Sequence, residues 1–130
     1  MKYRKLGKTN LQVSAVCLGT MTFGEQTNQK DSFELMDYAL EKGVNFFDTA
    51  EMYPVYPKKE TQGKSEKIIG EWLKIKKNRD KIILATKVAS GHPKGIGATG
   101  LSWIRKGGKS LKFDKSNMNE AVNESLKRLK

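Results

Sequence analysis

The sequence predicts an α/β fold in which short parallel strands alternate with amphipathic helices. Three apolar runs of strand length recur along the chain, each ending on a small or polar residue. Three segments with apolar residues at helical spacing follow them in turn. An order of strand, helix, strand, helix, strand, helix implies parallel pairing through β-α-β crossovers. The 130 residues give room for one domain. No composition shift or linker divides them, and no internal repeat is visible.

The first strand is expected within residues 11–20. Val13 and Ala15 alternate with polar neighbours there, and Val16-Cys17-Leu18 becomes continuously apolar before Gly19-Thr20. The first helix is expected over about 30–42, where Phe33, Met36, Ala39 and Leu40 share a face and Gly43 stands at the left-handed cap position. Val44-Asn45-Phe46-Phe47 gives the second strand. A proline-containing loop (Pro54, Pro57) leads to a second helix with Ile68, Ile69, Trp72 and Leu73 on one side. Ser65 is its expected N-cap, with Glu66 in the first turn. Residues 82–86 (Ile-Ile-Leu-Ala-Thr) form the third strand. Residues 89–116 read as a long loop holding half of the twelve glycines. The last helix, with Ser116 as its expected N-cap, carries Met118, Ala121, Val122 and Leu129 near one face.

Composition narrows the function classes. Net charge is +11, from 25 Lys+Arg against 14 Asp+Glu. Residues 1–50 are electrically balanced, so the excess lies beyond them. Lysine dominates that excess, and no run interleaves basic with aromatic residues, which favours a solvated lysine surface over a nucleic-acid interface. The single cysteine, Cys17, excludes an internal disulfide and any C-x-x-C site, and its apolar surroundings suit a small core residue. With one histidine, His92, a zinc site would need mostly carboxylates. No signal-like apolar region follows Met1-Lys2-Tyr3-Arg4-Lys5, and no 18-residue apolar stretch exists. A cytoplasmic protein with no membrane partner is the expectation.

Chemistry in parallel α/β folds collects at the C-terminal ends of the strands. The second strand runs into Asp48-Thr49-Ala50-Glu51-Met52-Tyr53, the third into Lys87, and the first into Gly19-Thr20-Met21. An acid, a phenol and an amine thus open onto one rim. A buried Lys87 ammonium beside Tyr53 would favour the phenolate, and Asp48 would hold the lysine charged. Such a tyrosine can protonate a carbonyl oxygen while hydride reaches its carbon. Spacing alone leaves a plainer reading open, in which Asp48 caps a turn, Tyr53 packs and Lys87 is solvated.

The ordered segments Leu6-Gly7-Lys8-Thr9, Gly19-Thr20-Met21-Thr22-Phe23-Gly24 and Asp48-Thr49-Ala50-Glu51-Met52-Tyr53 resemble those of aldo-keto reductases. Gly63-Lys64-Ser65-Glu66, Ala85-Thr86-Lys87-Val88 and Ser125-Leu126-Lys127-Arg128-Leu129 extend the resemblance over nearly the whole chain. Gly24-Glu25-Gln26 and the long loop from Met52 to Gly63 are most similar to the Tas-like branch. The resemblance implies the N-terminal three β/α units of a (β/α)8 TIM barrel, an incomplete barrel reaching Lys130 before the fourth strand. Residues 1–130 would then be a partial, truncated reductase domain.

The same resemblance implies NADP(H) as cofactor and small aldehydes or ketones as substrates. Tyr53 corresponds to the general acid, with Lys87 and Asp48 as its supporting pair. Gly19, Thr20, Met21 and Asp48 would lie near the nicotinamide end of the cofactor. The family's catalytic histidine has no match here, since His92 falls in a Gly-Pro context after the third strand. The expectation is therefore an oxidoreductase chain that is weak or inactive alone and binds cofactor poorly. The competing expectation is a non-catalytic α/β remnant with at most a binding or assembly role. On either reading, the exposed sheet edge is expected to favour self-association.

Gly95-Ile96-Gly97-Ala98-Thr99-Gly100 matches G-x-G-x-x-G literally. A dinucleotide fingerprint needs a strand directly before it and a helix opening within it. Gly91-His92-Pro93 interrupts the first requirement and Gly107-Gly108 the second, so the match reads as coincidence.

Overall fold

The structure, a computed structural model, describes residues 1–89, 101–108 and 110–129. Its elements are β1 (Tyr3–Lys5), β2 (Gln12–Ser14), β3 (Cys17–Gly19), α1 (Gln29–Glu41), β4 (Phe46–Asp48), α2 (Lys64–Lys76), β5 (Ile83–Ala85) and α3 (Lys115–Leu129). Short 3-10 turns occupy Arg79–Lys81, Ser102–Ile104 and Lys106–Gly108. Strands β3, β4 and β5 form the expected parallel sheet with β4 in the centre. Leu18, Phe47 and Leu84 stand in one row across it, and Gly19, Asp48 and Ala85 in the next.

Residues 11–20 are two strands rather than one. β2 pairs antiparallel with β1, Tyr3 opposite Ser14, in a separate hairpin. At Ser14 the chain leaves this ladder for the parallel sheet. The Ser14 backbone N–H donates to Asn45 Oδ1 (2.7 Å), and its hydroxyl donates to the Val16 carbonyl (2.6 Å). Asn45 Nδ2 donates in turn to the Gln12 carbonyl at 2.9 Å. Side chains thus satisfy the backbone groups that a strand change would orphan. The Tyr3 hydroxyl adds a bond to the Gly43 carbonyl (2.8 Å), so the hairpin is fixed at the N-terminal end of the sheet.

Helix α1 begins on Asn28, whose Oδ1 accepts from the Asp31 N–H at 2.9 Å, and ends where Gly43 adopts φ 81°. The expected N-caps of the other two helices are displaced. Ser65 lies inside α2, which starts after Gly63 (φ 75°), and its hydroxyl donates to the Phe23 carbonyl at 2.8 Å. Asp114, not Ser116, caps α3 by accepting from the Asn117 N–H at 2.9 Å. Its charge also complements the helix dipole, which a serine cannot do.

The core fills one side of the sheet. Phe47 is fully buried and stacks on Trp72 of α2 with ring centroids 5.7 Å apart. Phe23, Met36, Ala39, Val44, Ile68, Ile69, Leu73 and Ile82 complete this cluster. The Trp72 indole N–H escapes being orphaned by donating to Asp37 Oδ1 at 2.9 Å. On α3 the buried stripe is Asn117, Ala121 and Ser125, while Met118 and Val122, expected to face the core, are exposed. At its C-terminal end α3 approaches α2 closely, its Arg128 backbone lying against Gly70.

Side chains alternate across a strand, so Cys17, Phe46 and Ile83 lie on the sheet face opposite the helices. Cys17 is accordingly exposed, not a core residue. Its apolar neighbours suggested burial on both faces, whereas helices cover only one. The expected long loop is also partly built: Leu101 and Leu111 are buried in a second small cluster with Ala89. His92 and the Gly95–Gly100 match lie outside the described residues.

Candidate active site

Strand register delivers the site. Beyond the row of Gly19, Asp48 and Ala85, Thr20 N–H donates to the Asp48 carbonyl (3.0 Å) and Thr49 N–H to the Ala85 carbonyl (2.9 Å). The Glu51 N–H then donates to the Lys87 carbonyl at 3.1 Å. This continued pairing sets Lys87, just past β5, beside the end of β4. Its Nζ donates to Asp48 Oδ2 at 2.5 Å and stands 4.9 Å from the centroid of the Tyr53 ring. Tyr53 is itself held at its backbone, its N–H donating to the Ala50 carbonyl and its carbonyl accepting from the Gly63 N–H (2.9 Å). The three residues singled out on chemical grounds therefore meet in space.

Their environment differs from the expectation in one respect. Lys87 and Asp48 keep 47% and 37% of their side-chain surface exposed, so the ammonium is not buried. Partial burial pulls the Lys87 pKa down, but the Asp48 hydrogen bond and the electrostatic influence of Tyr53 and Asp48 outweigh it and leave the pKa raised. The amine is thus held protonated against an aromatic face, an arrangement that attracts a cation by itself. A charged lysine next to a phenol stabilises the anion that forms when that phenol gives up its proton.

Around this trio, Gly19 has open space where a Cβ would stand, and Met21 is exposed. Thr20 turns inward instead: it is fully buried and its hydroxyl donates to the Asp48 carbonyl at 3.0 Å. It fixes the end of β3 to β4 rather than presenting a group to the rim. The Val55 N–H donates to the Met21 carbonyl (2.9 Å), and Lys58 pairs with Glu25. The Gly24-Glu25-Gln26 segment and the 52–63 loop, noted separately in the sequence, are thereby joined. Among the described residues, no group of three or more histidine, cysteine or acidic side chains could hold a metal ion.

Sequence reasoning missed a buried pair behind the rim. Arg105 donates from Nη1 to Glu51 Oε2 (2.8 Å) and from Nη2 to Glu51 Oε1 (2.7 Å), with both side chains almost wholly buried. The available signal was a lone carboxylate between Ala50 and Met52, and a lone arginine after Leu101-Ser102-Trp103-Ile104. Nothing in either segment names the other as partner.

A family model described as "Aldo/keto reductase family" matches residues 15–130. The chain belongs to the aldo/keto reductase family. It is 41% identical over 132 residues to the protein tas of Escherichia coli, covering 99% of this chain and 35% of that relative. Similarity to the Tas-like branch is thus a finding as well as an expectation. Norsolorinic acid reductase B of Dothistroma septosporum is 41% identical over 100 residues, covering 71% of this chain and 24% of its own length. A solved aldo-keto reductase from Bacillus halodurans, in its holo form, superposes with a TM-score of 0.70 and 35% identity. That match covers 99% of this chain and 36% of the solved one. The three β/α units accordingly match the N-terminal part of an aldo-keto reductase barrel, and the chain spans about a third of the length of such relatives. No helix among the described residues is long and apolar enough to cross a membrane.

Proposed function

We propose that this chain carries the acid-base half of an NADP(H)-dependent oxidoreductase site acting on aldehyde or ketone carbonyls. The observation that carries the reading is the Lys87 ammonium held between the Asp48 carboxylate and the Tyr53 ring. Tyr53 gives its phenolic proton to the carbonyl oxygen as the carbonyl carbon is reduced. Lys87 stabilises the resulting phenolate, and Asp48 keeps Lys87 protonated and aimed.

The cofactor, when bound, supplies the hydride. Of this chain's residues, Asp48 offers it a hydrogen-bond acceptor, Gly19 offers backbone without a side chain, and Met21 offers apolar surface. Those groups fit the nicotinamide end. Among the described rim residues no arginine is available to a phosphate, because Arg105 is buried on Glu51. Weak cofactor affinity and weak or absent turnover for this chain by itself are part of the proposal.

NADPH fluorescence titration of wild type against Lys87→Met tests the reading. Saturable binding that Lys87→Met weakens supports it; no binding at millimolar NADPH overturns the cofactor assignment. NADPH oxidation by the 130-residue protein that Tyr53→Phe abolishes would overturn the low-activity part and strengthen the catalytic one.

A second reading, assembly, draws on Met118, Val122 and Leu126, which leave an exposed apolar row on α3, and on β3 and β5 at the sheet edges. A monomer at all concentrations in sedimentation would remove it.

A further inference from the structure

We infer that the Glu51–Arg105 pair is a positioning device that sets the distance between Tyr53 and Lys87. The inference rests on the reading of the rim given above and adds to it two residues that do not touch the reacting groups. Glu51 lies between Asp48 and Tyr53 in the chain, and Ala89 lies two residues beyond Lys87. Each loop could reach a different register at the rim if nothing joined them. Glu51 joins them twice. Its N–H donates to the Lys87 carbonyl at 3.1 Å, and its Oε1 accepts from the Ala89 N–H at 2.5 Å.

Arg105 completes the lock. Its fork grips both carboxylate oxygens, while Nη2 also reaches the Ala89 carbonyl (3.4 Å) and Nε donates to Asn117 Oδ1 (3.2 Å). Asn117 is fixed in turn by Asp114 at the start of α3. The Gln62 side chain donates to the Glu51 carbonyl, which ties in the far end of the Tyr53 loop. Ala89 and Arg105 therefore converge on one carboxylate, with Gln62 on the backbone carbonyl of the same residue and Asn117 behind the arginine. The apolar cluster of Ala89, Leu101 and Leu111, with Met52 and Trp103 against it, lies alongside.

A buried ion pair is poor support for stability, because desolvation offsets most of the attraction. A two-pronged arginine–carboxylate contact does impose one geometry. Apolar residues of similar volume would fill the space without choosing a register. The pair's effect should thus appear in the state of Lys87, which depends on how closely Asp48 and Tyr53 are held to it.

The test is the acylation rate of Lys87 by an N-hydroxysuccinimide acetate at fixed alkaline pH, read peptide by peptide on cofactor-free protein. The deciding variant is Glu51→Gln/Arg105→Met, which removes both charges together and leaves neither buried alone. Arg105→Lys, which keeps the charge and loses the fork, is the companion. Lysine reacts through its neutral amine, so a looser grip by Asp48 raises the rate. The expected result is a rise of roughly threefold at Lys87, with Lys42 unchanged. An unchanged Lys87 rate in folded variants, judged by near-ultraviolet circular dichroism, overturns the proposal. Failure of both variants to fold makes the pair a stability element and overturns it equally. Because the readout needs no NADPH, absence of cofactor binding would refute the proposed function and leave this result standing.

Discussion

The Arg128 carbonyl oxygen lies directly over Gly70, so that a Cβ built on Gly70 would come within 2.1 Å of it. A glycine inside α2 costs about 0.5–1 kcal/mol relative to alanine, and an exposed one would gain stability on substitution. Here the sign reverses. The obstructing atom is backbone, and α3 must move for a methyl group to fit. Gly70→Ala is expected to destabilise by about 1–3 kcal/mol, read from the urea midpoint. It should also loosen the contact in which Arg128 Nε donates to Glu66 Oε2 at 2.6 Å. A more stable Gly70→Ala protein would refute this packing of α3 on α2.

That relationship also marks what the sequence could reveal. The three parallel strands and three helices were legible because Phe47, Ile69 and Trp72 enforce their periods through burial. Asp48, Tyr53 and Lys87 were legible because register in a parallel sheet brings strand ends together. The caps at Ser65 and Ser116 were misread because cap preference is local, while the Ser65 hydroxyl finds an acceptor 42 residues away. The β1–β2 hairpin gave no signal, since its first strand, Tyr3-Arg4-Lys5, is exposed throughout and has no apolar alternation. Glu51 and Arg105, 54 residues apart, form their pair only once the fold exists.

Acid should weaken the fold in a definite window. Burial pushes the Asp37 carboxyl up, but hydrogen bonds from Lys76 and Trp72 outweigh it and lower its pKa. The Asn117 backbone and side chain lower Asp114, Lys127 and Lys106 lower Glu124, and Lys58 lowers Glu25. Each folded value lies below the unfolded one, near 4. The stability these groups add is therefore fully present above about pH 4 and lost as pH falls through their folded values. Urea midpoints are expected to be level between about pH 7 and 5 and to fall below about pH 4. Asp37→Asn should flatten part of that fall. A midpoint that rises on acidification would contradict these assignments.

Asn45→Ala should uncouple the hairpin from the sheet. The change leaves the Ser14 N–H and the Gln12 carbonyl without their partner. An unsatisfied buried group costs about 1–3 kcal/mol. Because the core of Phe47, Ile69 and Trp72 does not involve Asn45, the loss should be local. Amide exchange at Val13 and Ser14 is expected to accelerate while Ile69 and Trp72 keep their protection. Equal acceleration everywhere would mean that the hairpin is integral to the cooperative unit.

Cys17 reports on the Asp48–Lys87 pair from the open face of the sheet. Partial burial raises its thiol pKa most, the Asp48 charge raises it further, and Lys87 lowers it. A raised pKa leaves less thiolate near neutral pH, and thiolate is the reacting species. Asp48→Asn removes one of the two raising influences, so alkylation of Cys17 by iodoacetamide should speed up. Lys87→Met removes the lowering influence and should slow it. The burial contribution remains in both variants, so neither rate should reach that of a fully solvated thiol. Opposite shifts in the two variants are the discriminating outcome. Shifts in the same direction would mean that the substitutions act on Cys17 through its exposure, not through the charges of Asp48 and Lys87.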